Sequence, residues 1–131
     1  MFHFLDATGL WLVEVGELSL AFLNGEQHGR LHADFMGDPT PTDVITFPGD
    51  PRAGLAGEIC VSIDAAWEYA RSHPDSFENE LTLYLIHGYL HLAGFKDGKE
   101  EERREMRDQE QICLSALVKN GKIPLFTYER N

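Results

Sequence analysis

The sequence predicts an α+β fold, with a small mixed β-sheet of about four strands packed with about five helices. Short strand-like stretches separated by turns fill the first half of the chain, and two long helical patterns fill the second half. The chain has 131 residues and no Pro-, Gly- or Ser-rich linker that would divide it. We therefore predict one domain over residues 1–131.

Three stretches in the first half have the pattern of strands. They alternate apolar and polar residues or are rich in β-branched and aromatic side chains: Glu17–Leu23, Val44–Phe47 and Glu58–Ile63. We expect Pro48 to end the second stretch, and the turn-rich residues 49–57 to join it to the third as a hairpin. Residues 6–14 fit either a short helix or a strand, and the pattern does not decide between them.

Four segments have the pattern of helices: residues 26–36, about 65–73, 77 to about 92, and about 99–119. Asp64 and Ser76 are the candidate N-caps of the second and third segments, and Pro74 stops the second. The third is apolar on almost every side, which predicts that it is buried at the centre of the fold. Asn120-Gly121 ends the fourth, and the prolines at 39 and 41 require a loop over residues 37–41.

The composition limits the classes of function. A formal net charge of −11 is unfavourable for a nucleic-acid-binding protein, because a basic patch or a metal ion must then supply the positive charge that attracts phosphate. Cys60 and Cys113 each lie in an apolar stretch, which favours buried, reduced thiols over a disulfide. No stretch approaches the roughly 18 apolar residues of a membrane span, and residues 1–16 lack the basic start of a secretory signal. These features predict a cytoplasmic protein.

The most informative segment runs from His87 to Asp97 and reads H-G-Y-L-H-L-A-G-F-K-D. Because His87 and His91 are four residues apart on a helix, their imidazoles project from one face and can converge on one ion. Gly94 can end the helix with a positive φ, which lets Asp97 return toward the same point. The alternative is two core histidines that only form hydrogen bonds, but a shared metal would satisfy both rings at once.

Three protein ligands leave at least one coordination position open, which is typical of a catalytic metal site. The predicted cofactor is one divalent metal ion bound by His87, His91 and Asp97, with Zn²⁺ as the first choice. Zinc lowers the pKa of bound water to about 7 and polarises a carbonyl or phosphoryl oxygen. The sequence therefore predicts a small metal-dependent hydrolase.

A second segment, residues 28–32, repeats the spacing of the two histidines, and Asp38 follows it by six residues. Its flanks differ from those of the first segment, since polar residues precede it and Phe35 replaces the glycine that would end the helix. We interpret His28 and His32 as surface or cleft residues that could contact a substrate.

At these residues the sequence resembles the YbeY family of endoribonucleases, also called rRNA maturation factors. The family's H-G-x-L-H-L-x-G-y-D-H corresponds to residues 87–97, and its P-T-D-V-L-S-F-P corresponds to P-T-D-V-I-T-F-P at residues 41–48. Its G-D-I corresponds to Gly57-Glu58-Ile59, and its E-L corresponds to Glu80-Leu81. The motifs keep their order and spacing from about Glu17 to Met106, and the combination is far more specific than H-x-x-x-H alone.

The resemblance implies an α+β fold with a metal ion at one end of a cleft. It implies a metal-dependent endoribonuclease that prefers single-stranded RNA. Such an enzyme acts in rRNA maturation, including processing of the 16S rRNA 3′ end, and in ribosome quality control. The implied partners are single-stranded RNA or rRNA and ribosomal proteins or ribosome-assembly factors, with no DNA and no membrane.

The sequence departs from the family at two positions. Asp97 stands where the family has its third histidine; a carboxylate is an acceptable zinc ligand, but it makes Mn²⁺ and other hard ions better competitors. Met36 stands six residues before Thr42, where many members have an arginine thought to bind phosphate. Lys96 and Arg30 are the candidates to supply that positive charge here. The predicted catalytic residues are therefore His87, His91, Lys96 and Arg30.

Three functions stay open at the level of the sequence. In the ribonuclease, water or an RNA 2′-hydroxyl would attack a backbone phosphate at the metal, and the sequence does not choose between these nucleophiles. A zinc metalloprotease would use H-E-x-x-H with the Glu as general base, but Gly88 occupies that position and cannot take a proton, which favours phosphoryl chemistry. The third possibility is a ribosome-assembly binding module that keeps the metal for stability alone.

Overall fold

The computed structural model describes residues 1–13, 16–36, 43–74, 76–124 and 126. In these ranges the chain forms, in order, α1 (Phe2–Ala7), β1 (Glu17–Leu23), α2 (Gly25–Met36), β2 (Val44–Asp50), β3 (Leu55–Ser62), α3 (Ile63–Ser72), α4 (Phe77–Leu92) and α5 (Glu100–Lys119). A 3₁₀ turn, Pro51–Ala53, separates β2 from β3. The predicted α+β fold is confirmed, whereas the predicted loop at 37–41 lies outside the described residues.

The sheet is mixed and has the strand order β1-β3-β2. The central strand β3 is parallel to β1 and antiparallel to β2, so the predicted hairpin is confirmed. The described residues supply three strands where the sequence predicts about four. Of the ambiguous residues 6–14, residues 6–7 form the end of α1, and the described residues 8–13 form neither helix nor strand. Packing on the core holds α1 in place: Leu5 is fully buried, and the Phe2 ring stacks on the Tyr89 ring of α4 at a centroid distance of 5.5 Å.

The prediction that Pro48 ends the second strand is wrong. β2 continues through Pro48, which pairs with Gly57, and ends at Asp50. β2 lies at the edge of the sheet, where proline is tolerated because half of the N–H groups have no neighbouring strand. The hairpin connection is consequently shorter than the sequence predicts, and β3 already begins at Leu55.

The prediction that Asp64 is the N-cap of α3 is also wrong. The N-cap is Ser62, whose Oγ accepts a hydrogen bond from the backbone N–H of Ala65 at 3.1 Å. The Asp64 carboxylate instead accepts a hydrogen bond from the backbone N–H of Gly25 at 2.7 Å. Asp64 therefore joins the start of α2 to α3, a contact between residues 39 positions apart that local sequence cannot indicate.

We expect Ser62→Ala to lower the free energy of unfolding by about 1 kcal/mol, because the substitution removes the capping oxygen from a buried helix start. Urea denaturation monitored by circular dichroism measures this change. Ser115→Ala is the matched control, since Ser115 is exposed within α5 and the same substitution there should leave stability unchanged or slightly raise it. Equal midpoints for the two variants would contradict the assignment of Ser62 as the cap.

The helix α4 is the centre of the fold, as its apolar sequence predicts. It begins after the predicted cap Ser76, whose Oγ accepts a hydrogen bond from the backbone N–H of Asn79 at 3.0 Å. It packs against α3, α5, β2 and β3. It approaches β3 closely at Gly88, where a Cβ added to the glycine would lie 2.5 Å from Cγ2 of Ile59. A side chain at position 88 would therefore overlap the sheet.

Both cysteines are free and buried, as predicted. Burial raises the pKa of the Cys60 thiol to about 11 and that of the Cys113 thiol to about 12, with a further contribution from nearby glutamates. Both side chains therefore stay protonated at neutral pH, which makes them poor metal ligands. Separately, the part of the chain that the structure describes contains no helix long and apolar enough to cross a membrane.

Candidate metal centre

The last two turns of α4 bring the two predicted histidine ligands together. The Nε2 atoms of His87 and His91 lie 3.0 Å apart, and the ring centroids lie 4.6 Å apart with the planes nearly perpendicular. The side chains are 22% and 27% exposed, so both rings are mostly packed but still reach solvent. This is the convergence that a spacing of one helical turn predicts.

The third donor comes from the loop that follows α4. Gly94 has a φ of 103°, and the backbone N–H of Phe95 donates to the carbonyl of Leu90 at 3.0 Å, which together end the helix in a Schellman motif. The chain then reverses, and Oδ2 of Asp97 lies 3.2 Å from Nε2 of His87 and 3.3 Å from Nε2 of His91. The predicted helix end at Gly94 and return of Asp97 are confirmed.

The other ring nitrogen of each histidine has its own hydrogen-bond acceptor. Nδ1–H of His87 donates to Oε1 of Glu110 on α5, and Nδ1–H of His91 donates to the carbonyl oxygen of Phe95, both at 3.0 Å. Because a carboxylate and a carbonyl only accept, each neutral ring must place its proton on Nδ1 and its lone pair on Nε2. Burial lowers the pKa of His87, but hydrogen bonding and charge from Glu110, followed by the charge of Asp97, leave it above the ordinary value.

These three donor atoms fit a bound cation. Two imidazole lone pairs and one carboxylate oxygen face one another at 3.0 to 3.3 Å, an arrangement that is repulsive unless positive charge lies between them. A tetrahedral zinc ion with ligands at about 2.0–2.1 Å would separate neighbouring donor atoms by about 3.3 Å. The observed spacing is close to that value, and each imidazole has the outer acceptor that metal-bound histidines usually have.

The donor atoms lie at the wall of a cleft of about 560 Å³. The lining residues come from α2, from β2 and the position just before it, from α4 and from the loop after α4: His32, Asp43, Val44, Ile45, Thr46, Pro48, His87, His91, Leu92 and Asp97. None of these described lining residues is Lys or Arg, and two are aspartates. A phosphate in this cleft would therefore meet little positive charge without a bound cation.

Neither of the two basic candidates is among the described lining residues of this cleft. Arg30 is exposed on α2 and forms an ion pair with Glu26, one turn earlier on the same helix. Lys96 is exposed and lines a separate depression with Glu101, Glu102 and Glu105 of α5. Among the described residues, no hydrogen bond or ion pair joins Arg30 or Lys96 to the three donor atoms, and their predicted roles stay predictions.

The second histidine pair is divided between the core and the cleft. His28 is 1% exposed, and its Nε2–H donates to the carbonyl oxygen of Cys60 at 3.0 Å, so its interpretation as a surface or cleft residue is wrong. His32, one turn later, does line the cleft. Met36 lies in the last turn of α2, and Asp38 is outside the described residues.

Glu110 is the site residue that the sequence does not indicate. It lies in a helix rich in both acidic and basic residues, whose charges are typical of a solvated face. Its side chain is nevertheless only 13% exposed, because α5 packs against α4. Only the relative placement of the two helices distinguishes it from its exposed neighbours.

The family profile described as Endoribonuclease YbeY matches residues 4–118 of this chain. The chain belongs to the YbeY endoribonuclease family. Endoribonuclease YbeY of Halalkalibacterium halodurans is 38% identical over 113 residues, which cover 76% of this chain and 71% of the relative. Endoribonuclease YbeY of Protochlamydia amoebophila is 40% identical over 107 residues, which cover 79% of this chain and 71% of the relative.

A solved structure supports the same conclusion for the fold. The solution structure of a Thermotoga maritima protein has 28% sequence identity and a TM-score of 0.53, and the match covers 88% of this chain and 79% of that one. The YbeY family is known for endoribonucleases of rRNA maturation, so the resemblance seen in the sequence motifs is confirmed. RNA is accordingly the class of substrate that the family implies.

Proposed function

We propose that the group formed by His87, His91 and Asp97 holds one divalent metal ion, with Zn²⁺ as the first choice, and is the catalytic centre of a single-strand-specific endoribonuclease. The observation that carries this proposal is the convergence of three donor atoms at 3.0 to 3.3 Å on the wall of an open cleft. Three protein ligands leave room for a solvent or substrate oxygen at the ion.

The ion, when bound, would supply positive charge and Lewis acidity toward a phosphoryl oxygen and would lower the pKa of a coordinated water. The residues of the chain hold and orient the site: Glu110 and the Phe95 carbonyl fix the two imidazoles, and α4 fixes their separation. His32 and Thr46 line the cleft and offer hydrogen-bonding groups to an RNA backbone. The described lining contains aspartates but no Lys or Arg, so it repels phosphate. RNA binding therefore depends on the positive charge of the cation.

The metalloprotease alternative is disfavoured by the position of Gly88. In an H-E-x-x-H protease this position carries the glutamate that acts as general base. Here a Cβ at position 88 would lie 2.5 Å from Cγ2 and 3.0 Å from Cγ1 of Ile59, so this face of α4 packs on the sheet and does not face the cleft. A side chain at this position has no path to a substrate.

We expect the metal-free protein to lack ribonuclease activity and to regain it with about one equivalent of Zn²⁺ per chain. The experiment strips the protein with a chelator, titrates Zn²⁺ or Mn²⁺ back, and follows cleavage of a fluorescent single-stranded RNA, its duplex, and a peptide library. The single strand should be cleaved in preference to the duplex, and the peptides should stay intact. Zinc at about 100 times its dissociation constant should also stabilise the fold by about 2.7 kcal/mol.

Three outcomes would overturn the proposal. Cleavage of RNA by the fully stripped protein would show that the three donor atoms are not the catalytic centre. Cleavage of peptides, with RNA intact, would favour the protease. A higher melting temperature with metal, but no RNA cleavage with or without it, would favour the binding module with a structural ion.

The finer biological assignment rests on the family. We propose that the substrate is rRNA, with the 3′ end of 16S rRNA as the site of action, and that the protein takes part in ribosome quality control. Ribosomal proteins or ribosome-assembly factors would be its protein partners, and the cytoplasm its location. Cleavage of purified ribosomal subunits by the metal-loaded protein, mapped at single-nucleotide resolution, tests this assignment; cuts dispersed over the RNA with no preferred position would contradict it.

A further inference from the structure

We propose that Glu110 is a positioning residue for the metal centre: its carboxylate fixes the tautomer and orientation of His87 and so raises the affinity of the site for a divalent ion. This inference rests on the proposed function, because it assigns a role toward the same centre. The motif from His87 to Asp97 does not include Glu110, which lies 13 residues after Asp97 on another helix. The proposal therefore extends the site from the loop after α4 to α5.

The geometry that carries the inference is a short, sheltered contact. Oε1 of Glu110 lies 3.0 Å from Nδ1 of His87, and the two side chains are 13% and 22% exposed. A charge-assisted hydrogen bond in such a sheltered position is stronger than one in water. The proton held on Nδ1 leaves the Nε2 lone pair directed toward Asp97 and His91, where an ion would bind.

The two histidines of the site differ in what orients them. The acceptor for His91 is the backbone carbonyl of Phe95, which no side-chain substitution can remove. The acceptor for His87 is the side chain of Glu110. Of the two rings, only that of His87 therefore depends on the residue at position 110 for its orientation. Substitution of Glu110 should therefore change the tautomer and orientation of His87 and leave those of His91 unchanged as an internal reference.

A purely structural role for Glu110 is the alternative, since α5 packs on α4 and the contact also joins the two helices. That role predicts a loss of stability without a specific change at His87. The positioning role predicts a change in the tautomer of His87 in the metal-free protein and a weaker metal site in a protein that is still folded. Melting temperature alone does not separate the two roles, whereas the tautomer and the metal affinity do.

The experiment compares wild type, Glu110→Ala and Glu110→Gln, with Asp108→Asn as a control that removes an exposed negative charge from the same helix. Nitrogen-15 spectra of the metal-free proteins, at a pH where both rings are neutral, report which nitrogen of each histidine is protonated. Competition with a zinc-binding dye reports the dissociation constant. In Glu110→Ala we expect His87 to populate the Nε2–H tautomer, His91 to stay unchanged, and zinc affinity to fall by about 10- to 100-fold.

Glu110→Gln keeps an acceptor oxygen but loses the charge, so we expect it to retain the tautomer of His87 and to lose less than about tenfold in zinc affinity. Asp108→Asn should match wild type in both measurements. The inference is wrong if Glu110→Ala keeps the wild-type tautomer and binds zinc as tightly as wild type. This outcome differs from a failure of the proposed function, which would appear as absence of zinc binding by the wild-type protein itself.

Discussion

His87→Ala is expected to abolish both stoichiometric zinc binding and cleavage of single-stranded RNA. The substitution removes one of three donor atoms that lie 3.0 to 3.3 Å apart, and His91 and Asp97 alone form an incomplete site. Loss of a direct ligand should exceed the 10- to 100-fold effect of losing an outer hydrogen-bond partner, so we expect activity to fall by more than about 100-fold. Metal analysis of the purified variant and a cleavage assay with a fluorescent RNA measure the two effects.

The matched control is His73→Ala. His73 is exposed at the end of α3 and stacks on Tyr69, away from the cleft lining that the structure describes. This variant should bind zinc and cleave RNA as wild type does. RNA cleavage that survives in His87→Ala would contradict the assignment, because the activity would then belong to another site or to a contaminant.

Gly88→Ala is expected to destabilise the protein, although replacing glycine by alanine within a helix ordinarily adds up to about 1 kcal/mol of stability. The new Cβ would lie 2.5 Å from Cγ2 and 3.0 Å from Cγ1 of Ile59, a fully buried side chain on the central strand. Overpacking of this kind typically costs about 1–3 kcal/mol, which exceeds the gain in helix propensity. Urea denaturation at constant metal concentration measures the difference.

The chain contains its own control for this prediction. Gly29 lies within α2 in the same His-Gly-x-Leu-His context, but apart from its own helical turn a Cβ there meets no atom of the described residues within 4 Å. Gly29→Ala should therefore stabilise the protein by about 0.5–1 kcal/mol. Two variants with the same local sequence and opposite effects on stability would show that packing decides the result. A stabilised Gly88→Ala would contradict the close contact between α4 and β3.

The same contact predicts the outcome of an attempt to create the protease motif. Gly88→Glu would introduce the glutamate of H-E-x-x-H, but the longer side chain must enter the same space against Ile59. We expect an unstable protein without peptidase activity. The glycine between the two histidines is thus explained by the approach of the helix to the sheet.

The helices α4 and α5 show how much local sequence can determine. Their bounds follow from local signals: Ser76 accepts a hydrogen bond at the start of α4, and Asn120-Gly121 follows the end of α5. The candidate metal group is local for the same reason, because a four-residue helical spacing and one glycine-ended turn bring all three donor atoms together within eleven residues. Interactions over such short distances along the chain are fixed by backbone geometry alone.

Other features depended on contacts between residues far apart in the chain. Pro48 lies within β2 because that strand is at the sheet edge, and Asp64 reaches Gly25 because α2 and α3 are neighbours. His28 is buried against β3 although the residues around it are polar. In each case the local pattern allowed more than one structure, and burial selected one of them.

The sequence by itself determined the α+β class, the long helices, the convergence of the three candidate donors and membership of the YbeY family. The tertiary structure alone decided that Glu110 is hydrogen-bonded to His87, that Arg30 and Lys96 are not among the described lining residues of the cleft, and that Gly88 faces the sheet. The physical reason is the range of the interactions involved. A helical turn is set by residues three or four apart, whereas the neighbours of a side chain on another element are set only when the elements pack.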